Sequence, residues 1–233
     1  MLEVRALSAG YGLGRAIEAV DLDVAEGEAV ALLGRNGAGK STTLKALMGL
    51  LPRIEGEARF RDHALVGRAP HEIARLGLGY VPEDRRVFKR LSVLDNLEVG
   101  RRPPEDGRRG WRPDDLFALF PNLAERRRAL GGQLSGGEQQ MLAIARTLMG
   151  NPRLILLDEP SEGVAPVLVE RLGEAVAAMR REGLALVVSE QNLRFARAVA
   201  DRAVVLETGR VGFDGPFAAL DADPSIAERY LGV

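Results

Sequence analysis

Gly34-Arg35-Asn36-Gly37-Ala38-Gly39-Lys40-Ser41 fits G-x-x-x-x-G-K-[ST] at every fixed position. The stretch follows Ala29-Val30-Ala31-Leu32-Leu33, an apolar run suited to a buried parallel strand. It precedes Leu44, Leu47, Met48 and Leu51, which share a helical face. Strand, glycine-rich loop and helix in that order predict a loop that wraps a nucleotide's phosphates. The glycines let backbone approach phosphate closely, the helix N-terminus adds positive potential, and Lys40 places a point charge on the β/γ-phosphates. Ser41 can ligate Mg²⁺, and Thr42 completes the nucleotide-binding run. Lys40, Lys45 and Lys89 are the only lysines in the chain. Where other cations are written as arginine, a lysine here argues for a compact charge that a planar guanidinium would not replace.

The 233 residues, 46% hydrophobic and 28% charged, suit one substantial α/β core with room for an inserted subdomain. A net charge of -1 gives no reason to expect nucleic acid as a partner. With no cysteine, and with only His63 and His71, disulfides and thiolate or histidine-rich metal sites are not expected, and a cytosolic compartment is. Met1-Leu2-Glu3-Val4-Arg5 lacks a charged-then-apolar leader, and no apolar run approaches the ~18 residues of a membrane span. Any membrane role is expected to be peripheral.

Alternation at Leu2, Val4, Ala6 and at Val20, Leu22, Val24 predicts antiparallel strands before the P-loop. Tyr11, between Gly10 and Gly12, is placed to stack on a purine; the alternative is a turn tyrosine packed on the sheet. Glu57 to Phe60 reads as an edge strand, Pro70 opens a short helix, and Leu78 to Val81 reads as a strand. Glu83 then stands just past that strand's carboxyl end, where open α/β sheets bind ligands, as a candidate metal-side group. Ser92 is placed to cap a helix over Val93 to Val99, and another helix is expected from Pro113 to Phe120. An inserted helical subdomain is expected over 89–150. Its arginines, at 101–102, 108–109 and 126–128, fit a solvated surface or a docking patch for anionic lipid or a partner.

Leu134-Ser135-Gly136-Gly137-Glu138-Gln139-Gln140 opens an amphipathic helix and offers a second anion site. Leu154-Ile155-Leu156-Leu157 is an apolar strand ending in Asp158-Glu159-Pro160. Asp158 is placed to bind Mg²⁺, and Glu159 to polarise the water that attacks a γ-phosphate. Pro166 starts a helix to about Arg181, and Leu184 to Val188 is a strand leading to Ser189-Glu190-Gln191-Asn192. A terminal hairpin is expected around Thr208-Gly209, with one or two short helices in the tail.

The P-loop, Leu134 to Gln140 and Leu154 to Glu159, in that order and over the whole chain, resemble the ATP-binding subunits of ABC transporters. The resemblance implies an α/β fold with a P-loop NTPase core, an N-terminal antiparallel β layer and an inserted helical subdomain. Residues 1–88 and 151–233 would form the catalytic core and 89–150 the helical part. It implies ATP and Mg²⁺ as cofactors, Tyr11 as the adenine-stacking aromatic, and Leu134 to Glu138 as the segment that binds ATP held by a second ATPase subunit. Two multi-span permease subunits and, indirectly, a solute-binding protein follow as partners. Peripheral attachment at the cytoplasmic face of the inner or plasma membrane follows with them.

Val81 to Phe88, Asp158 to Pro166 and Glu190-Gln191-Asn192 resemble the branched-chain amino-acid uptake branch, with other amides or urea left open as solutes. Three positions depart from the general pattern: Glu83 for a glutamine, Ala165 for an aspartate, and Gln191 for the switch histidine. Gln191 is therefore expected to position phosphate and water without titrating near neutral pH, leaving proton transfer to Glu159. A soluble non-transport ABC ATPase is the rival reading. It lacks support here, because the chain shows neither a long coiled-coil interruption nor a second cassette.

Overall fold

The strand before the P-loop is buried on both faces, and its alternation decides which layer each side chain meets. In the computed structural model, which describes residues 1–12, 14–104 and 107–222, β1 (Leu2–Tyr11) and β2 (Gly14–Val24) form an antiparallel pair. β3 (Ala29–Leu33) leads through the P-loop into α1 (Lys40–Leu47). β4 (Arg53–Phe60) returns to pair with β1, and β5 (His63–Ala64) covers its other side, so β4 is not an edge and is longer than the sequence suggested. The four-stranded layer has the order β2-β1-β4-β5.

After α2 (Pro70–Arg75) and β6 (Leu78–Val81) come α3 (Val93–Gly100), α4 (Pro113–Leu119), α5 (Pro121–Glu125) and α6 (Gly136–Leu148). The chain then alternates through β7 (Leu154–Asp158), α7 (Pro166–Arg181), β8 (Ala185–Glu190) and α8 (Leu193–Val199). It closes with β9 (Arg202–Glu207), β10 (Arg210–Pro216) and α9 (Phe217–Ala222). The six-stranded sheet has the order β10-β9-β3-β8-β7-β6, parallel except for the β9/β10 hairpin. The carboxyl ends of β3, β6, β7 and β8 therefore share one edge, and the P-loop, Glu83, Asp158, Glu159 and Gln191 lie on or just past it.

Period-two alternation separates two cores. Val30 and Leu32 of β3 face the antiparallel layer and α1, among Leu7, Ile17, Leu22, Leu44, Leu47, Leu156 and Val187. Ala29, Ala31 and Leu33 face the helices, in a cluster that runs without a break from Leu157 and Val188 to Leu97 of α3 and Met141, Leu142 and Ile144 of α6. Ser92 caps α3 as expected, accepting from Asp95 N at 3.0 Å while the Asp95 carboxylate accepts from Ser92 N at 3.3 Å.

Several expectations move. Leu51 is buried but lies outside α1, because Gly49 turns the chain with φ 65°. β8 runs on to Glu190, which puts Ser189 inside the sheet. α8 was not expected from the sequence; Asn192 caps it, its Oδ1 accepting from Phe195 N at 3.1 Å. α9 is one of the expected tail helices, and the rest of the tail, 223–233, lies outside the described residues.

Candidate nucleotide site

The P-loop conformation needs glycine at two places above all. Gly34 has φ 150°, and a Cβ there would lie 2.5 Å from the Leu206 carbonyl oxygen; Gly39 has φ 109°, and a Cβ would lie 2.6 Å from Ile17 Cγ2. The loop is thus pressed between β2 and the β9/β10 hairpin, whose Gly209 N–H donates to Ala38 O at 2.9 Å. No side chain caps α1, so its first-turn N–H groups remain as anion donors. Arg35, Asn36 and Gly37 are exposed, Ser41 is half-buried, and Ala38, Lys40 and Thr42 are buried. Tyr11, at the end of β1, presents its ring to solvent at 53% exposure, as a stacking platform requires.

Asp158, 1% exposed, closes the site from β7. Its Oδ1 accepts from Ser41 Oγ and from Ser189 Oγ, each at 2.8 Å, and its Oδ2 accepts from Tyr80 OH at 2.9 Å. Burial, followed by the Asp158 charge and this hydrogen bond, holds the Tyr80 phenol well above its ordinary range. The donor set fits Mg²⁺: two adjacent octahedral ligands at ~2.1 Å from the ion lie ~3 Å apart, close to the Ser41–Asp158 spacing. No cluster of three or more His, Cys, Asp or Glu suited to a metal occurs among the described residues. Ser41 and Asp158 would hold the Mg²⁺, which would supply positive charge to neutralise the phosphates.

Lys40 Nζ donates to Gly34 O at 2.8 Å and to Arg35 O at 3.3 Å, and pairs with Glu159 Oε1 at 3.1 Å; the two side chains are 3% and 9% exposed. Glu159 sits at φ 44°, an uncommon conformation for its type. Its N–H donates to Ser189 O and to Ser189 Oγ, each at 3.1 Å. Gln191 Nε2 donates to Glu159 Oε2 at 2.8 Å. Burial alone would push the Glu159 carboxyl up, but hydrogen bonds from Glu162 and Gln191 and the Lys40 ammonium hold it below its usual value. Glu162 is pushed up to about 7, first by its hydrogen bond to Glu159, then by burial and by the charges of Glu159, Glu83 and Glu190. Glu159 is thereby held ionised beside a cation and an amide donor, the form a general base needs.

Gln191 therefore holds the Glu159 carboxylate in place. Gln191→Ala is expected to slow turnover about 10- to 100-fold by loosening Glu159, with ATP affinity changed little. Parallel measurement of kcat and equilibrium ATP binding checks this; unchanged turnover would show that Lys40 and Glu162 hold Glu159 alone.

The other sequence candidates are placed differently. Ser135 caps α6, its Oγ accepting from Glu138 N at 3.3 Å while Glu138 Oε2 accepts from Ser135 N at 2.8 Å. Leu134 and Gly137 are buried and Ser135 is exposed, and a Cβ on Gly137 would lie 2.4 Å from Leu168 Cδ1. Among the described residues no hydrogen bond or ion pair joins Leu134–Glu138 to the P-loop, Asp158 or Glu159. Glu83 is exposed and makes no hydrogen bond to Ser41 or Asp158; Tyr80, three residues earlier, makes that contact instead. Tyr80, Glu162 and Ser189 were not singled out from the sequence. Tyr80 in alternating register with the buried Leu78 was the available signal for one, and the short step from Glu159 to Glu162 for another.

The chain matches the ABC transporter family over residues 17–162. It is 43% identical to the high-affinity branched-chain amino acid transport ATP-binding protein BraG of Pseudomonas aeruginosa, covering all of both chains. It is 36% identical to the lipopolysaccharide export system ATP-binding protein LptB of Escherichia coli, covering 99% of this chain and 97% of LptB. Among solved structures, the ADP conformation of MJ1267, an ATP-binding cassette of an ABC transporter, superposes with TM-score 0.83 at 25% identity. That match covers 100% of this chain and 99% of the other.

Proposed function

We propose that this chain, which belongs to the ABC transporter family and is one of its ATPases, energises the uptake of branched-chain amino acids through membrane partners. The observation that carries the solute is the 43% identity to BraG along the whole of both chains. The intact set Lys40, Ser41, Asp158 and Glu159 at one sheet edge supports the chemistry. In this reading Gly34 to Thr42 hold the phosphates and Tyr11 stacks on adenine. Ser41 and Asp158 hold Mg²⁺, with Glu83 reaching the metal side when the β6–α3 loop moves. Glu159, steadied by Gln191, takes the proton of the attacking water.

Leu134 to Glu138 are separate from this set within one chain, which supports a sandwich in which they meet ATP held by a second ATPase subunit. Residues 89–150 then act as the helical subdomain that passes closure to two permease subunits, with a solute-binding protein acting through them. No helix among the described residues is long and apolar enough to cross a membrane, so attachment in this reading is peripheral, at the cytoplasmic face.

The 36% identity to LptB favours a second reading, an export role. Reconstitution with the permeases and binding protein separates the two. Stimulation of ATP turnover by binding protein loaded with leucine, isoleucine or valine is expected. Stimulation only by urea or another amide would move the solute, and stimulation only by lipopolysaccharide would overturn uptake.

A further inference from the structure

We infer that Tyr80 and Ser189, which lie outside the nucleotide motifs, are positioning residues that fix the Asp158 carboxylate for a divalent cation. The inference rests on the nucleotide-site reading above. A carboxylate oxygen has two lone-pair directions, and both on Asp158 Oδ1 are taken, by Ser41 Oγ and Ser189 Oγ at 2.8 Å each. A cation held by Ser41 and Asp158 together would take one of these directions in place of the Ser41 O–H. Ser189 keeps the other, and Tyr80 keeps Oδ2.

The Ser189 hydroxyl is itself oriented. Its oxygen accepts from Glu159 N at 3.1 Å, which leaves its single proton for Asp158. Ser189 is fully buried in β8, and its backbone oxygen also accepts from Glu159 N, so the two residues are tied to each other at the end of the sheet. Tyr80 approaches from β6, which pairs with β7 in the register Tyr80↔Leu156, and its hydroxyl reaches along the sheet edge to the end of β7. Two donors on different strands thus hold one carboxylate in a single orientation, which is how outer-shell groups raise metal affinity. Tyr80 stands three residues before Glu83, so the same contact ties the base of the β6–α3 loop to the metal ligand.

The experiment measures Mn²⁺ binding by electron paramagnetic resonance in the ADP complex of the full chain, and metal-free ADP affinity in chelator. Tyr80→Phe and Ser189→Ala are each expected to weaken Mn²⁺ about tenfold or more, with metal-free ADP affinity unchanged. Tyr80→Phe keeps the ring and its packing, and so remains informative if Ser189→Ala fails to fold. Mn²⁺ affinity unchanged in Tyr80→Phe, or metal-free ADP affinity falling in step with it, overturns the inference. Failure of the parent chain to bind ADP would overturn the nucleotide-site reading itself, and this inference with it.

Discussion

Lys40→Ala is expected to raise the dissociation constant for ATP about 10- to 150-fold, the loss of a charge-assisted contact worth ~1.5 to 3 kcal/mol. No other lysine lies in the loop to replace it. The structure adds a second consequence. Lys40 also neutralises Glu159, and both side chains are buried, so the variant strands a carboxylate in the protein interior. Breaking a buried pair costs about 3 to 5 kcal/mol when nothing else compensates. Gln191 still donates to Glu159, so a smaller loss is expected, visible as a lower Tm. Adding Glu159→Gln to Lys40→Ala removes the stranded charge. The double variant should regain thermal stability without regaining ATP affinity. Near-native ATP binding by Lys40→Ala would contradict the phosphate role of the loop.

Glu159→Gln is expected to cut turnover about 10²- to 10⁴-fold, the usual contribution of a general base. ATP affinity should stay level or tighten. In the parent chain the γ-phosphate must compete with the Glu159 carboxylate for Lys40, 3.1 Å away, and a neutral amide competes less. A parallel loss of ATP affinity and kcat would instead make Glu159 a structural partner of Lys40. Because the variant binds without hydrolysing, it should accumulate in whatever assembly ATP drives.

How much of this was legible in the sequence follows from how far each interaction reaches. Phosphate binding demands close backbone approach and a point charge within eight residues, so Gly34 to Ser41 declare themselves. Asp158 and Glu159 are legible because two acids at the end of an apolar strand have few other uses beside such a loop. Tyr80 and Ser189 act on Asp158 from 78 and 31 residues away, and nothing local in either segment records that partner. α8 is not legible because it is only seven residues long, too short for its apolar spacing to repeat. Its stability comes from burying Phe195, Ala196 and Val199 against the sheet, a tertiary effect that propensity does not carry. Glu83 was read by its position in the chain. The loop instead turns through Arg85 and Arg86 at φ 63° and 50°, and Glu83 is left exposed.

In the proposed sandwich, ATP held by Lys40, Ser41 and their neighbours is completed by Leu134 to Glu138 of another subunit. Light scattering of Glu159→Gln with saturating ATP, alone and mixed with its partner ATPase, tests this most directly. A shift from the 25.2 kDa chain to a particle of two ATPase subunits is expected in at least one of the two samples. A mass that stays at 25.2 kDa in both would contradict it.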